Sequence, residues 1–299
     1  MIIVDFSQVL LASVFVFSSD FQKGQDTAKM KDILRHVLHQ SLLSYKRKYT
    51  SEYGEMIIAC DGEKYWRKDV FPQYKANRKK SRETSTLDSE NVYAHMDTMK
   101  AELRTIFPWK VIEVPEAEGD DIMGVMTKYA LEHGEGEGLF DEPKPILLIT
   151  SDGDMKQLHE LGPVKQWSPH QKKLVAKPEK NFLLDKIIRG DAGDGIPSVL
   201  SPDDWFTNSA YDGIRAKPVT KAVIERFSKG LGLNEEEKVR YERNRVMIDL
   251  DCTPEFVTKL IIEQYETAKP SRDTMKIMTF LQGVRAKQLL EIVHEYIVK

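Results

Sequence analysis

The sequence predicts an α/β fold in which a mainly parallel central sheet is flanked by helices and followed by a smaller helical part. Short apolar runs alternate with segments of helical periodicity through the first half of the chain. An acidic residue stands at or just after most of these runs. Beyond about Asn181 the pattern becomes mostly helical. We therefore divide the chain into a core over 1–180 and a helical C-terminal part over 181–299.

The apolar runs predict four strands, over Ile2–Asp5, Met56–Asp61, Val111–Val114 and Pro145–Ser151. Between the first two strands, apolar residues recur at helical spacing, at Ile33, Leu34, Val37, Leu38, Leu42 and Tyr45. Further helices are expected over Leu87–Ile106, from Glu116 toward His133, and around Arg272–Ile297. The segments Val164–Trp167 and Lys172–Val175 indicate a short hairpin.

The composition is that of an ordinary globular protein. Apolar residues make up 41% of the 299 positions and charged residues 30%, which excludes a disordered or collagen-like chain. The two cysteines, Cys60 and Cys252, are too few for a disulfide framework, so we expect a reducing, cytoplasmic environment. The apolar N-terminus has no basic lead and is interrupted by Asp5, Ser7 and Gln8. It therefore predicts a strand and a buried helix rather than a signal peptide or a membrane span.

Basic residues are concentrated in one segment although the net charge is −3. From Lys64 to Arg82 there are eight basic residues and one acid, a local balance of +7. Four aromatic residues lie among them, at Tyr65, Trp66, Phe71 and Tyr74. A solvated surface is the commoner explanation of a basic run, but cations interleaved with aromatic rings suit phosphates and bases. The segment therefore favours a nucleic-acid partner.

Acidic residues follow all four predicted strands. Asp5 ends the first strand, Asp61 the second, and Asp152 and Asp154 follow the fourth. The third strand leads into "EAEGDD", which carries Glu116, Glu118, Asp120 and Asp121. Because the carboxyl ends of parallel strands share one edge of a sheet, we expect these side chains to converge there. Gly153 is expected to provide the turn that lets Asp152 and Asp154 face the same site.

Convergent carboxylates need a compensating cation, because like charges held close together cannot all stay ionised. Oxygen ligands without a nearby histidine or thiol point to Mg²⁺ or Mn²⁺ rather than zinc. Taken singly, an Asp after a strand is more often a turn or helix-cap residue. Asp191 and Asp194 in "RGDAGDGIP" could likewise be turn residues among glycines. The agreement among several strand ends favours a metal site over a set of separate turns.

Two other functions stay open at this point. A phosphatase of the haloacid dehalogenase type also collects acids at strand ends, but it needs an Asp-x-Asp-x-Thr motif on its first strand. This chain has Asp5, Phe6 and Ser7 there. A non-catalytic DNA-binding module would need the basic segment but not the full set of carboxylates, so the acids favour an enzyme.

Seven short motifs occur in one order along nearly the whole chain: "VDFSQ", "ACDG", "YWRKD" with "FPQYKANRKK", "EGDDIMG", "SDGDMKQL", "VKQWSP" and "GDAGDGIPSV". In this order and spacing they resemble the flap endonuclease or 5′ nuclease superfamily, and within it the ribonucleases H of T-even bacteriophages. The resemblance implies a PIN-like 5′ nuclease core over 1–180 that includes a basic arch over 62–92. It also implies a DNA-binding role for 181–299, with a helix-three-turn-helix-like element.

The resemblance further implies an activity and its residues. The activity is a two-metal 5′ to 3′ exonuclease and flap endonuclease, with ribonuclease H activity on RNA primers, that acts in DNA replication and leaves 5′-phosphates. Metal ligands would be Asp5, Asp61, Glu118, Asp120, Asp152 and Asp154, with Asp121, Asp191 and Asp194 completing the outer set. Arch residues acting on the scissile phosphate would be Tyr74, Lys75 and Arg78. Nucleic-acid contacts would come from Arg67, Lys68, Lys79, Lys80, Arg82, Arg215, Lys217 and Lys221.

Cofactors and partners follow from the same resemblance: Mg²⁺ or Mn²⁺, DNA with a 5′ flap or fork, RNA/DNA hybrids, and a single-strand DNA-binding protein or sliding clamp. A monomer without a membrane partner is expected, in the host cytoplasm. Setting the nine acids aside changes the net charge from −3 to +6, which suits a polyanion. In "GIRAKPVTKA" Arg215 stands where the family has the second glycine of its K⁺-binding turn, which argues against a K⁺ site. Gly195 likewise replaces the family's asparagine.

Overall fold

A computed structural model describes residues 1–78, 85–134 and 144–297 of the chain. They form two compact units. The sheet unit comprises Met1–Gly62, Thr86–Ala176 and Phe256–Lys299, and the helical unit comprises Glu63–Ser85 and Lys177–Glu255. These units differ from the predicted division at residue 180, because the last helices pack in the sheet unit while the basic segment packs in the helical unit.

The sheet has six strands in the order β3-β2-β1-β4-β5-β6. The strands are β1 Ile2–Asp5, β2 Met56–Ala59, β3 Lys110–Ile112, β4 Ile146–Ile149, β5 Val164–Ser168 and β6 Lys173–Leu174. All neighbouring pairs are parallel except β5 and β6, which form the predicted hairpin. The mainly parallel α/β fold is therefore confirmed.

The helices in the described ranges are α1 Phe6–Val16, α2 Thr27–Tyr53, α3 Arg67–Val70, α4 Ser89–Ile106, α5 Gly119–His133, α6 Phe182–Arg189, α7 Lys221–Ser228, α8 Glu235–Ile248, α9 Glu255–Thr267, α10 Thr274–Gly283 and α11 Lys287–Glu291. Short 3-10 helices lie at Ser18–Phe21, Asp154–Glu160, Ser209–Tyr211, Leu250–Cys252 and Val293–Tyr296. In the described part of the chain, no helix combines the length and apolarity that crossing a membrane requires.

Several element boundaries differ from the prediction. β2 ends at Ala59 rather than Asp61, and β4 spans Ile146–Ile149 rather than Pro145–Ser151. Two further differences have identifiable reasons. The third strand ends at Ile112, not Val114, because the side chain of Gln264 takes over the pairing of Glu113: it accepts from the Glu113 N–H at 2.6 Å and donates to its carbonyl at 3.0 Å. The predicted C-terminal helix is three shorter pieces. The chain turns between α10 and α11 at Arg285, whose φ of 55° is incompatible with a continuous right-handed helix.

The core of the sheet unit lies between the sheet and its helices. Helix α4 buries the apolar face that its spacing predicts, at Val92, Met96, Met99 and Leu103. Helix α2 also buries a stripe of apolar residues along one face, which includes Leu34, Leu38 and Leu42. Continuous apolar strands covered on both faces are typical of parallel sheets, and β1, β2 and β4 are buried along their whole length. The buried strands therefore fix the positions of the residues that follow their carboxyl ends.

The helical unit has smaller apolar clusters. One consists of Phe71, Tyr74, Ile187, Ile196, Met247 and Ile248. A second contains Ile188, Val199 and Phe227. These clusters join the basic segment to α6, α8 and the "GDAGDGIP" loop, so that the sequence-distant segments 63–78 and 190–197 become neighbours.

Candidate metal centre and nucleic-acid interface

Asp5 is held at the carboxyl end of β1, next to the centre of the sheet. One carboxylate oxygen accepts from the Gln8 N–H at 3.0 Å, which caps the start of α1, and the other accepts from Thr150 Oγ1 at 2.9 Å. Thr150 is the first residue beyond β4, and the β1–β4 register pairs Val4 with Ile149. The parallel register therefore brings the residue after one strand to the last residue of the other.

Asp61 lies two residues beyond β2 and is held from two sides. Ser7 Oγ donates to its Oδ2 at 2.7 Å, and the Gly119 N–H at the start of α5 donates to its Oδ1 at 2.8 Å. Gly62 follows in a place where a Cβ atom would lie 2.0 Å from the carbonyl oxygen of Val114. The glycine of "ACDG" thus lets the chain turn tightly against the segment that follows β3.

Asp5, Asp61 and Asp152 are close enough to influence one another. Burial raises the pKa of Asp5, and the charges of Asp61 and Asp152 raise it further, to about 7, against the opposing hydrogen bonds from Gln8 and Thr150. Repulsion among carboxylates is the electrostatic signature expected where a cation is to bind. The fold therefore places Asp61 and Asp152 near enough to Asp5 for their charges to act on it.

The Asp152–Asp154 pair is shaped by a side-chain turn. The Asp152 N–H donates to Thr150 Oγ1 at 3.1 Å, and the Asp154 N–H donates to Asp152 Oδ1 at 2.8 Å. The latter bond is an Asx turn, which an aspartate forms with the backbone two residues on. Gly153 has φ −69° and ψ −22°, which any residue adopts. The expectation that Gly153 provides the turn is therefore wrong: the carboxylate of Asp152 makes it.

The "EGDD" motif forms the N-terminus of α5, which begins at Gly119 rather than near Glu116. Glu118 is the N-cap and forms a reciprocal capping box with Asp121, whose Oδ2 accepts from the Glu118 N–H at 2.9 Å. Asp121 is fully buried and Glu118 is nearly so, whereas Asp120 is half-buried. The two aspartates thus differ in access, because they lie about 100° apart around the helix.

The residues at this edge fit a hard divalent cation. Their groups are carboxylates and hydroxyls, the oxygen donors that Mg²⁺ and Mn²⁺ accept. Within residues 1–78, 85–134 and 144–297, however, no three His, Cys, Asp or Glu side chains are arranged as a ready-made metal cage. The carboxylates instead accept hydrogen bonds from Ser7, Thr150 and backbone N–H groups. Mg²⁺ usually keeps several water ligands, so it does not require a closed cage of protein atoms.

Asp191 and Asp194 belong to the helical unit, in the loop after α6. Asp191 pairs with Lys186 at 2.8 Å. Burial opposes ionisation of Asp191, but Lys186 and the backbone N–H groups of Gly193 and Asp194 outweigh it and lower its pKa. Gly195, with φ of 71°, lies where a Cβ would come within 3.0 Å of Asn77 Oδ1. This glycine therefore permits the close approach of the basic segment.

Asp194 is the counter-ion of the predicted arch residues. Its carboxylate accepts a hydrogen bond from Tyr74 Oη at 2.8 Å and forms an ion pair with Arg78. Lys75 Nζ lies 3.9 Å from the same carboxylate, and the Lys75 N–H donates to the Asp194 carbonyl at 2.8 Å. Arg78 Nε also donates to the Gly193 carbonyl at 3.1 Å. The loop and the three arch residues are thus one connected cluster.

Arg67 is a correction to the predicted nucleic-acid contacts. It is 3% exposed, its Nε donates to the Met247 carbonyl at 2.9 Å, and its guanidinium lies over the Trp66 ring. It therefore stabilises the helical unit rather than offering charge to solvent. Tyr74 is also buried, 3% exposed, so its ring packs inside while its hydroxyl reaches Asp194.

The remaining predicted contacts that the structure describes are all exposed. Lys68 is exposed, with Nζ 5.5 Å from the centre of the Tyr65 ring. Also exposed are Arg215 and Lys217, on the segment that leads into α7, and Lys221, the first residue of that helix. Lys79, Lys80 and Arg82 lie outside the described residues.

Sequence reasoning missed the polar residues that hold the carboxylates. Ser7 and Thr150 each donate to an aspartate, and Gln166 on β5 donates to the backbone of Asp152 at 2.7 Å. Ser7 and Gln166 lie within the "VDFSQ" and "VKQWSP" motifs, which assign them no role, and the sequence signal of Thr150 is its position beside an acidic strand end. A polar residue with 1% exposure, as Gln166 has, usually carries a specific hydrogen-bonding role.

Comparison with known proteins agrees with these observations. Residues 1–183 match the 5′-3′ exonuclease N-terminal resolvase-like domain, and residues 178–296 match the C-terminal domain of T4 RNase H. Ribonuclease H of Enterobacteria phage T4 is 31% identical over 308 aligned positions, which cover 98% of this chain and 95% of that protein.

Two solved structures share the fold at lower identity. T5 5′-exonuclease with divalent zinc bound is 17% identical with a TM-score of 0.58, covering 90% of this chain and 99% of that one. A bacteriophage T5 flap endonuclease with DNA and metal ions is 18% identical with a TM-score of 0.53, covering 89% and 98%. The sequence matches exclude the haloacid dehalogenase alternative. The chain belongs to the 5′-3′ exonuclease family and is a nuclease, a hydrolase of phosphodiester bonds.

Proposed function

We propose that the chain is a two-metal 5′ nuclease that removes RNA primers and 5′ flaps during DNA replication and leaves 5′-phosphate ends. The single observation that carries this proposal is the cluster of Asp5, Asp61 and Asp152 at the carboxyl edge of a parallel sheet. Burial, and then repulsion from Asp61 and Asp152, raises the pKa of Asp5 to about 7. Such a cluster is costly without a cation, so its most direct use is to bind one.

The proposed ligands are the carboxylates that lie at or after the strand ends and at the start of α5: Asp5, Asp61, Glu118, Asp120, Asp152 and Asp154. Mg²⁺ is the proposed ion, with Mn²⁺ able to replace it. When bound, such ions neutralise phosphate charge and lower the pKa of a coordinated water. Asp121 is reassigned to a positioning role, because its carboxylate caps Glu118. Asp191 and Asp194 remain proposed outer ligands, whose present partners are cations that a metal would replace.

Lys75 and Arg78 are proposed to contact the scissile phosphate. Arg78 is 43% exposed at the side chain and Lys75 is 18% exposed, so both are accessible to an anion. If Lys75 or Arg78 moves from Asp194 to a substrate phosphate, it exchanges one anionic partner for another. The side-chain cation is therefore paired both with and without substrate. Tyr74 orients Asp194 through its hydroxyl, and its buried ring anchors the segment. These cations would stabilise negative charge that develops on the phosphate.

The proposed substrates are DNA with a 5′ flap or fork and RNA/DNA hybrids. The relatives support this choice: one is a ribonuclease H, and another is a flap endonuclease solved with DNA. Lys68, Lys79, Lys80, Arg82, Arg215, Lys217 and Lys221 are proposed to contact the phosphate backbone. We further propose a monomer in the host cytoplasm that acts with a single-strand DNA-binding protein or sliding clamp. A K⁺ site is not part of the proposal, because Arg215 occupies the glycine position.

The test is cleavage of a 5′-labelled flap and of a 5′-labelled RNA/DNA hybrid in Mg²⁺, with product ends identified by phosphatase sensitivity. Asp152→Asn and Asp154→Asn should each lower the rate by about 100-fold or more, since each removes a charged ligand. Asp26→Asn, at an exposed helix cap, is the matched control and should cleave normally. Metal-independent cleavage, or full activity of both Asp152→Asn and Asp154→Asn, would refute the metal assignment. DNA binding without any cleavage of either substrate would refute the proposed substrates.

A further inference from the structure

We propose that Gln166, oriented by His159, is a positioning residue that sets the Asp152–Asp154 pair for metal binding. The inference rests on the proposed function and extends it to Gln166, a residue of the "VKQWSP" motif to which no role has been assigned, and to His159. Both side chains are buried, with Gln166 1% and His159 2% exposed.

The side-chain amide of Gln166 contacts the backbone just beyond the C-terminal end of β4. It lies on β5, in register with Leu148, and its Nε2 donates to the Thr150 carbonyl at 3.1 Å and to the Asp152 carbonyl at 2.7 Å. One side chain thus holds both ends of the short step from the strand to the first carboxylate. The Thr150 N–H still pairs with the Trp167 carbonyl of β5 at 3.1 Å. The carbonyls of Thr150 and Asp152 are held by the Gln166 amide, whose two N–H donors suit two carbonyls.

His159 contacts the oxygen end of the same amide. Its Nε2 lies 3.2 Å from Gln166 Oε1, and because that oxygen only accepts, the imidazole donates from Nε2. A reversed amide would point its oxygen at two carbonyls and its N–H groups at a donor. His159 lies in the 3-10 helix Asp154–Glu160, so it also ties the amide to the element that begins at Asp154.

The network continues to Asp5. Thr150 Oγ1 donates to Asp5 Oδ2 at 2.9 Å and accepts from the Asp152 N–H at 3.1 Å. The peptide groups on both sides of Asp152 are therefore fixed, one by Thr150 and the other by Gln166. Because the Asp152 carboxylate in turn accepts from the Asp154 N–H, a shift of this backbone would move both carboxylates together. Loss of a group that orients a metal ligand in this way typically lowers metal affinity by about 10- to 100-fold.

A purely structural role is the competing explanation, since any buried amide contributes to stability. The chain offers a matched control in Gln264, which also clamps a backbone residue with two hydrogen bonds, to the N–H and carbonyl of Glu113. Gln264 serves the end of β3 and contacts no proposed ligand in these bonds. Gln166→Met and Gln264→Met each remove two such bonds while keeping an unbranched side chain of similar length.

The experiment measures Mn²⁺ binding to the full chain without DNA, from the electron paramagnetic resonance signal of free Mn²⁺. Thermal melting and the KM for flap DNA are measured on the same samples. Gln166→Met should weaken Mn²⁺ binding by about 10-fold or more and raise the Mg²⁺ concentration for half-maximal cleavage by a similar factor. The KM for DNA at saturating Mg²⁺ should change less than about twofold, and Gln264→Met should keep wild-type metal affinity.

His159→Leu provides a second variant that leaves both donations of Gln166 possible but removes the group that orients the amide. It should weaken Mn²⁺ binding by a smaller factor, about 3- to 10-fold. Metal affinity unchanged in both Gln166→Met and His159→Leu, or weakened equally in Gln264→Met, overturns the inference. If the wild-type chain itself binds no Mn²⁺ and cleaves nothing, the proposed function fails instead, so the two failures are distinguishable.

Discussion

Replacing Asp5 by asparagine should abolish metal-dependent cleavage and yet stabilise the metal-free protein. Asp5 is 7% exposed, and burial together with the charges of Asp61 and Asp152 raises its pKa from 3.8 to about 7. A carboxylate whose pKa is higher in the folded than in the unfolded state destabilises the fold progressively as the pH rises from the unfolded pKa to the folded pKa. Above pH 7 it is ionised in both states, and its burial and repulsion then count fully against the fold.

The magnitude follows from the two pKa values. The rise in the pKa of Asp5 from 3.8 to about 7 corresponds to about 4 kcal/mol of destabilisation of the folded state at pH 8. Asparagine keeps an oxygen for the Gln8 N–H but turns an amide toward Thr150 Oγ1, which costs about 1 kcal/mol. Asp5→Asn should therefore be more stable than wild type by about 3 kcal/mol at pH 8.

The sign also predicts a pH dependence. Between pH 4 and 7 the folded protein holds a proton on Asp5 that the unfolded chain has lost, so wild-type stability falls as the pH rises through this range. The advantage of Asp5→Asn should then be smaller at pH 5 than at pH 8, by about 3 kcal/mol. Added Mg²⁺ should stabilise wild type far more than the variant, because the ion compensates the charge of Asp5.

The assay is urea unfolding in EDTA at pH 5 and pH 8, followed by circular dichroism. Asp26→Asn is the matched control, because Asp26 is also an N-cap, accepting from the Ala28 N–H at 2.9 Å, but is exposed. Its stability should change little at either pH, since asparagine is an equally good N-cap. The reasoning is refuted if Asp5→Asn is no more stable than wild type at pH 8, or if its advantage is the same at both pH values.

Three further predictions concern other parts of the chain. His39 is fully buried, both ring nitrogens lack a hydrogen-bond partner among the described residues, and burial, aided by the charges of Arg35 and His36, lowers its pKa to about 3. The free energy of unfolding of wild type should therefore fall as the pH drops below 6.5, by about 2 kcal/mol at pH 5. Thermal melting of His39→Phe should not show this loss. Arg78→Ala should lower the slope of log affinity for DNA against log salt by about one, whereas Arg189→Ala, which breaks the pair with Asp185, should leave it unchanged. Asn244→Leu leaves the carbonyls of Ile187 and Pro197 without its amide, so urea unfolding should report a loss of about 2–4 kcal/mol, and an unchanged midpoint would contradict this.

The sequence by itself determined the fold class, the family and the chemical character of the site. Apolar runs as short as Ile2–Asp5 predict strands because local patterning sets secondary structure. The acids that follow them, such as Asp61 and Asp152, needed only parallel connectivity to be expected at one edge. The ordered motifs then sufficed for the family, which the matches over residues 1–183 and 178–296 confirm.

Only the tertiary structure decided how those residues are held. Ser7 and Asp61 are 54 positions apart and Thr150 and Asp5 are 145 apart, so their hydrogen bonds depend on the register of neighbouring strands. Arg67 carries the same charge as its neighbours in the basic segment, but packing against Met247 buries it. Local patterning indicates which residues form an element, whereas burial and hydrogen-bond partners are set by contacts between segments far apart in the chain.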